Sequence, residues 1–151
     1  MQTKQIAPIN LLYFSTETKV TDLAQYVGVI ADRLYKEAVQ SNLRISGPCY
    51  WLYDGFDGDV SKTFTLEIAL PIESLPQTHT GEFKVKSTEH FKCIWTIHEG
   101  EWMKIPETYG KLIKHITQNN LKPSGKNREV YIHMDLDAPE TMVTMIQMGI
   151  E

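Results

Sequence analysis

Apolar side chains recur along the chain in two rhythms. Leu23, Val27, Ile30, Leu34 and Ala38 are spaced for one side of a helix that starts near Thr21, its N-cap, and runs to about Asn42. Gly47-Pro48 stops any continuation. A second stripe, Tyr109, Leu112, Ile113 and Ile116, expected to be buried in the core, follows Pro106, a residue suited to a first helical turn. Asn119-Asn120 and Pro123 end that helix. Elsewhere the pattern is that of strands, at residues 9–15, 49–54 and 63–72, then at 83–86, 91–98, 129–135 and 142–150. The turn-rich Asp-Gly-Phe-Asp-Gly-Asp segment parts the second strand from the third.

The same plan therefore occurs twice, and the residues repeat with it. Residues 40–47 read QSNLRISG and residues 118–125 read QNNLKPSG, an offset of 78. Without gaps, Gln40, Asn42, Leu43, Ser46, Gly47 and Tyr53 meet Gln118, Asn120, Leu121, Ser124, Gly125 and Tyr131. These are six identities in fifteen pairs, where unrelated sequence gives about one. Ile68, Ile72 and Glu73 meet Ile146, Ile150 and Glu151 at the same offset. The expected fold is α+β: two strand-helix-strand-strand units, about 6–73 and 81–151, with pseudo-twofold symmetry, antiparallel sheets and a central ligand cleft. The polar stretch 73–81 is a connector. Neither half has core enough to stand alone, so residues 1–151 should pack as one domain.

Strand alternation sorts the faces. Cys49, Trp51 and Tyr53 point one way, Tyr50 and Leu52 the other. In the matching strand Val130, Ile132 and Met134 are the apolar set expected against the helix, with Glu129, Tyr131 and His133 facing away. The offset carries Trp51 to Glu129 and Tyr53 to Tyr131, which puts three aromatics and one carboxylate around a shared centre. Aromatic faces attract cations and flat molecules, and a desolvated carboxylate supplies counter-charge. The plainer reading makes Glu129 a solvated strand residue and the aromatics core.

Composition narrows the classes. With 15 Lys+Arg against 19 Asp+Glu, the net charge is −4. No basic surplus is available for phosphate contacts, so no direct nucleic-acid partner is expected. Hydrophobic residues make up 42%, but no apolar run approaches the ~20 residues of a membrane span. The N-terminal segment has no basic stretch followed by an apolar one. Cys49 and Cys93 lack CxxC spacing and read as buried residues of a reducing, cytoplasmic setting. His79, His90, His98, His115 and His133 show no ligand spacing, and no phosphate-binding glycine loop occurs, so no metal and no cofactor is expected. His98 beside Glu99 reads as a solvated pair at a strand end.

Particular residues also resemble a known family. His98-Glu99-Gly100-Glu101-Trp102 followed by Ile105-Pro106-x-x-Tyr109 is similar to the strand-to-helix motif of GyrI-like domains. Leu121-x-Pro123-x-Gly125, Arg128-Glu129-Val130-Tyr131, Asp135 and the closing strand 144–150 extend the likeness. Such domains also serve as effector-binding domains of AraC- and MerR-type transcription regulators. The resemblance implies a central cleft for hydrophobic, often cationic, compounds. It assigns cation contact to Glu129 with Tyr131 beside it, and an aromatic wall to Trp102. Relatives commonly carry Thr-Glu-Ile in the last strand. Here it is Thr144-Met145-Ile146, so a second carboxylate is absent or its part falls to Glu67, the offset-matched residue.

Three functions follow for comparison. The leading one is a free-standing module that binds a small lipophilic or cationic ligand through Trp51, Tyr53, Trp102, Glu129 and Tyr131. The repeats occupy the chain, leaving no stretch for a helix-turn-helix. The second is a hydrolase of cyclopropanoid toxins, an activity of some relatives, with Glu129 as general base and Tyr131 as its polar partner. The third, DNA gyrase inhibition through protein contact, has the least support, because no dense acidic run occurs. A regulator that reads the bound state is a further possible partner.

Overall fold

The computed structural model describes residues 1–151, and in it the alternating stretches become strands of one continuous sheet. The elements are β1 (Gln2–Ile6), β2 (Asn10–Thr18), α1 (Val29–Gln40), β3 (Tyr50–Asp54), β4 (Phe64–Pro71), β5 (Lys84–Ser87), β6 (Phe91–Glu99), α2 (Ile105–Gln118), β7 (Pro123–His133) and β8 (Val143–Ile150). The strand order is β1-β6-β8-β7-β3-β4-β2-β5, antiparallel throughout. Buried residues of both helices join Trp51, Tyr53, Tyr131 and Ile146 in a single apolar cluster, so both helices cover the same face. No helix is long and apolar enough to cross a membrane.

The two units meet where β3 pairs with β7, and Trp51 lies directly opposite Glu129. These residues are also repeat mates. Repeat mates can pair directly only across a twofold axis, so the pseudo-twofold passes between Trp51 and Glu129. The flanking hairpins share one register: Trp51 faces Ile68 in one, and Glu129 faces Ile146 in the other. The short leading strands are exchanged. β1 pairs with β6 of the second unit, while β5 pairs with β2 of the first. Each unit thus covers the other's sheet edge. The connector is held as well, because Glu37 of α1 accepts the Phe83 N–H at 3.2 Å and lies 2.9 Å from His79 Nε2.

The repeated QxNL residues have a backbone cause. Asn42 and Asn120, at φ 56° and 53°, are the only non-glycine residues with positive φ. The Leu43 N–H donates to Ala38 O at 2.9 Å and the Leu121 N–H to Ile116 O at 3.0 Å, the six-to-one bond that closes a helix C-terminus. Asparagine tolerates this left-handed turn better than most residues.

Several expectations are corrected. The helix expected from Thr21 is broken: Val20–Tyr26 forms a 3₁₀ segment, Gly28 takes φ 75°, and α1 begins at Val29. β7 starts at Pro123 rather than 129, with a register irregularity past Gly125 that the apolar pattern does not announce. β1 has no predicted counterpart, because an exposed polar edge strand carries no apolar alternation. His98 is buried and not a solvated partner of Glu99. Its Nδ1 lies 2.7 Å from Thr108 Oγ1, which ties β6 to α2.

The β7 faces are also reversed from expectation. Glu129 and Tyr131 face the helices and are buried, whereas Ile132 and Met134 are substantially exposed. Counting apolar residues picks the wrong face here, because polar atoms that satisfy one another can occupy the inner one.

The cap geometry predicts that Asn120→Gly retains stability while Asn120→Val loses about 1–2 kcal/mol. Urea unfolding midpoints of the two variants check this.

Candidate functional site

Gly100, at φ 115°, turns the chain sharply out of β6, and its N–H donates to Met142 O at 2.9 Å. That turn sets Trp102 in a single 3₁₀ turn ahead of α2, whose Pro106 occupies the first helical turn. Between the start of α2, the 3₁₀ segment at Val20–Tyr26 and the β3–β4 loop lies a cleft of about 460 Å³, within the range of small-molecule sites. Phe56, Val60 and Phe64 form one wall, Trp102, Tyr109 and Ile113 the other, and Tyr53 and Glu129 reach it from the sheet.

Glu129 is only 4% exposed, and its carboxylate is held by phenols from three elements. Tyr53 of β3 donates to Oε2 at 3.0 Å, Tyr109 of α2 donates to Oε1 at 3.1 Å, and Tyr131 of β7 donates to Oε2. The Trp102 indole N–H donates to the Tyr131 hydroxyl at 3.1 Å, linking the aromatic wall to the carboxylate. Burial raises the Glu129 carboxyl above its ordinary value, opposed by the three phenolic bonds. Burial and the adjacent carboxylate push Tyr53, Tyr109 and Tyr131 well up, so they remain donors.

Of the residues singled out from sequence, Tyr53, Trp102 and Glu129 line the cleft. Tyr131 bonds Glu129 from within the sheet. Trp51 lies behind, edge-on to Trp102 at 6.1 Å and to Tyr131 at 5.8 Å between ring centroids. Tyr109 and Ile113 were expected to be core, because helical spacing alone treats any apolar ring as buried stripe. The Tyr109 hydroxyl is the signal that distinguishes it. Glu67 takes no part: it sits on the opposite face, with its Oε1 2.6 Å from Lys86 Nζ. Met145, across from Val130, also faces away from the cleft.

A family model described as the GyrI-like small molecule binding domain matches residues 1–151. Among solved structures, EcmrR in its DNA complex superposes with TM-score 0.82 at 17% identity, over 99% of this chain and 56% of that one. The chain thus spans little more than half of that relative. The EcmrR C-terminal domain alone gives TM-score 0.80 at 17% identity, covering 99% and 96%. SAV2435 bound to tetraphenylphosphonium gives 0.66 at 16%, covering 99% and 93%. A hydrolase from Listeria innocua gives 0.65 at 13%, covering 99% and 92%. At these identities the likeness establishes the fold. No curated protein matches the chain.

The raised Glu129 carboxyl has a defined effect on stability. Its folded value exceeds the unfolded one, so its contribution is complete below the ordinary value of about 4.3 and is lost as pH rises through the folded value. Urea unfolding of the protein and of Glu129→Gln across pH 4–8 should therefore show the parent losing stability relative to the variant as pH increases.

Proposed function

The chain belongs to the GyrI-like small molecule binding domain family, and on that premise we propose that its cleft takes up small hydrophobic cations or flat aromatic compounds, with Glu129 as counter-charge. One observation carries the reading. Glu129 accepts three hydrogen bonds, yet every donor is a neutral phenol and no Lys, Arg or His pairs with it. A buried carboxylate that is solvated but not neutralised leaves room for a positive charge from outside. Trp102, Tyr109 and Tyr53 supply ring faces for that charge. Trp51 and Tyr131 act from behind, keeping Trp102 and Glu129 in place. Met103, 74% exposed on the rim, suits a mouth that adapts to ligands of different shape. The presence of tetraphenylphosphonium on SAV2435 is consistent with this ligand class. In a cell such a module would sequester its ligand or report occupancy to a partner regulator.

The hydrolase reading uses the same carboxylate, and the raised Glu129 carboxyl and the Listeria relative favour keeping it as the second choice. Three phenolic bonds fill most of the roughly four lone-pair sites of a carboxylate. Little remains to activate a water, so binding without turnover is the better fit. Turnover of a cyclopropane-bearing substrate that disappears in Glu129→Ala would reverse that order.

Titration with tetraphenylphosphonium and with tetraphenylborate, equal in shape and opposite in charge, tests the proposal. The cation should bind with a Kd on the order of micromolar, and the anion at least tenfold more weakly. Glu129→Gln should weaken the cation by about 2–5 kcal/mol. Equal affinity in that variant would remove Glu129 from the site.

A further inference from the structure

On the side of β3 and β7 away from the helices lies a second cleft of about 340 Å³, closed by the β5–β6 connection. Only three of its fourteen lining residues are hydrophobic. Its most unusual member is Arg128, 7% exposed and next to Glu129 in the chain. The Arg128 guanidinium makes no ion pair and no hydrogen bond within the protein, and Nη1 is sealed from solvent with no partner. Its Cζ lies 4.0 Å from the centroid of the Phe91 ring. A buried guanidinium normally pairs with an anion, since desolvating an unpaired charge costs several kcal/mol.

No protein group accepts a hydrogen bond from Arg128 Nη1. Glu67 is taken by Lys86, whose Nζ lies 2.6 Å from both carboxylate oxygens. Gln147, opposite Arg128 in the β7–β8 register, leaves its own Oε1 unpaired. Lys126 and His90 line the same cleft, so a second cation and a titratable ring stand near Arg128. Asp54 and Glu89 are there too, which disfavours a densely charged polyanion.

We propose that this second cleft binds the oxyanion group of a small metabolite, a carboxylate or a phosphate, through Arg128 with Lys126 in support. A planar guanidinium fork fits either group in bidentate fashion. The site is separate from the aromatic cleft and does not depend on how that cleft is read.

Calorimetric titration and thermal unfolding at fixed ionic strength, with inorganic phosphate and with citrate as probes, test this. One or both should bind saturably and raise Tm, and whichever binds identifies a phosphate or a carboxylate group. Arg128→Lys, which keeps the charge and loses the fork, should weaken binding about tenfold or more. Arg128→Met should fold without the anion and show no anion-dependent rise in Tm. Should that variant not fold, Lys126→Gln, at an exposed position, should weaken the probe several-fold and leave tetraphenylphosphonium titration unchanged. Absence of saturable binding by both probes, or equal binding by the parent, Arg128→Lys and Lys126→Gln, would overturn the proposal.

Discussion

Glu129 stands on the central seam of the sheet, and a carboxylate taken out of water there has to be met by donors or the fold loses several kcal/mol. The donors are Tyr53, Tyr109 and Tyr131, from β3, α2 and β7. Satisfying one charge therefore fixes three elements relative to one another. It draws Tyr109 on α2 toward the sheet and joins the two units across their shared strand pair. Through the Trp102–Tyr131 bond it also orients the aromatic wall. Because the donors are neutral, the charge is solvated in place without being cancelled. Structural order and, in the function proposed above, ligand attraction thus come from the same group.

The pseudo-twofold duplicates the frame but not the chemistry. At the axis, Trp51 occupies one position and Glu129 its mate. Tyr109 of α2 corresponds at the same offset to Ala31 of α1, which has no hydroxyl to offer. The first unit contributes rings, Trp51, Tyr53 and Phe64, while the second contributes the carboxylate and the helix that closes over it. Two equal half-sites would have placed like charges together at the axis, where repulsion and desolvation act against both. The asymmetry yields one cleft with one carboxylate. On the reverse side of β7, Arg128 lies one residue away and faces a different environment, since strand alternation sends neighbours to opposite faces.

Much of the frame could be read along the chain because it depends on local signals. The helical stripes, the turn-rich segments and the offset of 78 all survive folding, and the Asn42 and Asn120 caps give the repeat its clearest residues. Where apolar spacing was the only guide, it failed in understandable ways. It joined the Val20–Tyr26 segment to α1 across Gly28, missed the polar edge strand β1, and assigned Ile113 to the core.

The sequence by itself determined the α+β class and the twofold plan, because periodicity and repetition are properties of residue order; the offset grouped Trp51, Tyr53, Glu129 and Tyr131 as candidates, and a family resemblance added Trp102. Only the tertiary structure decided which face of β7 is inside, that Tyr109 completes the phenol cage, and that Glu67 belongs to the far side with Lys86. Those outcomes depend on hydrogen bonds between residues distant in the chain. Whether a polar side chain is buried is set by partners that fold in from elsewhere, and no local pattern carries that information.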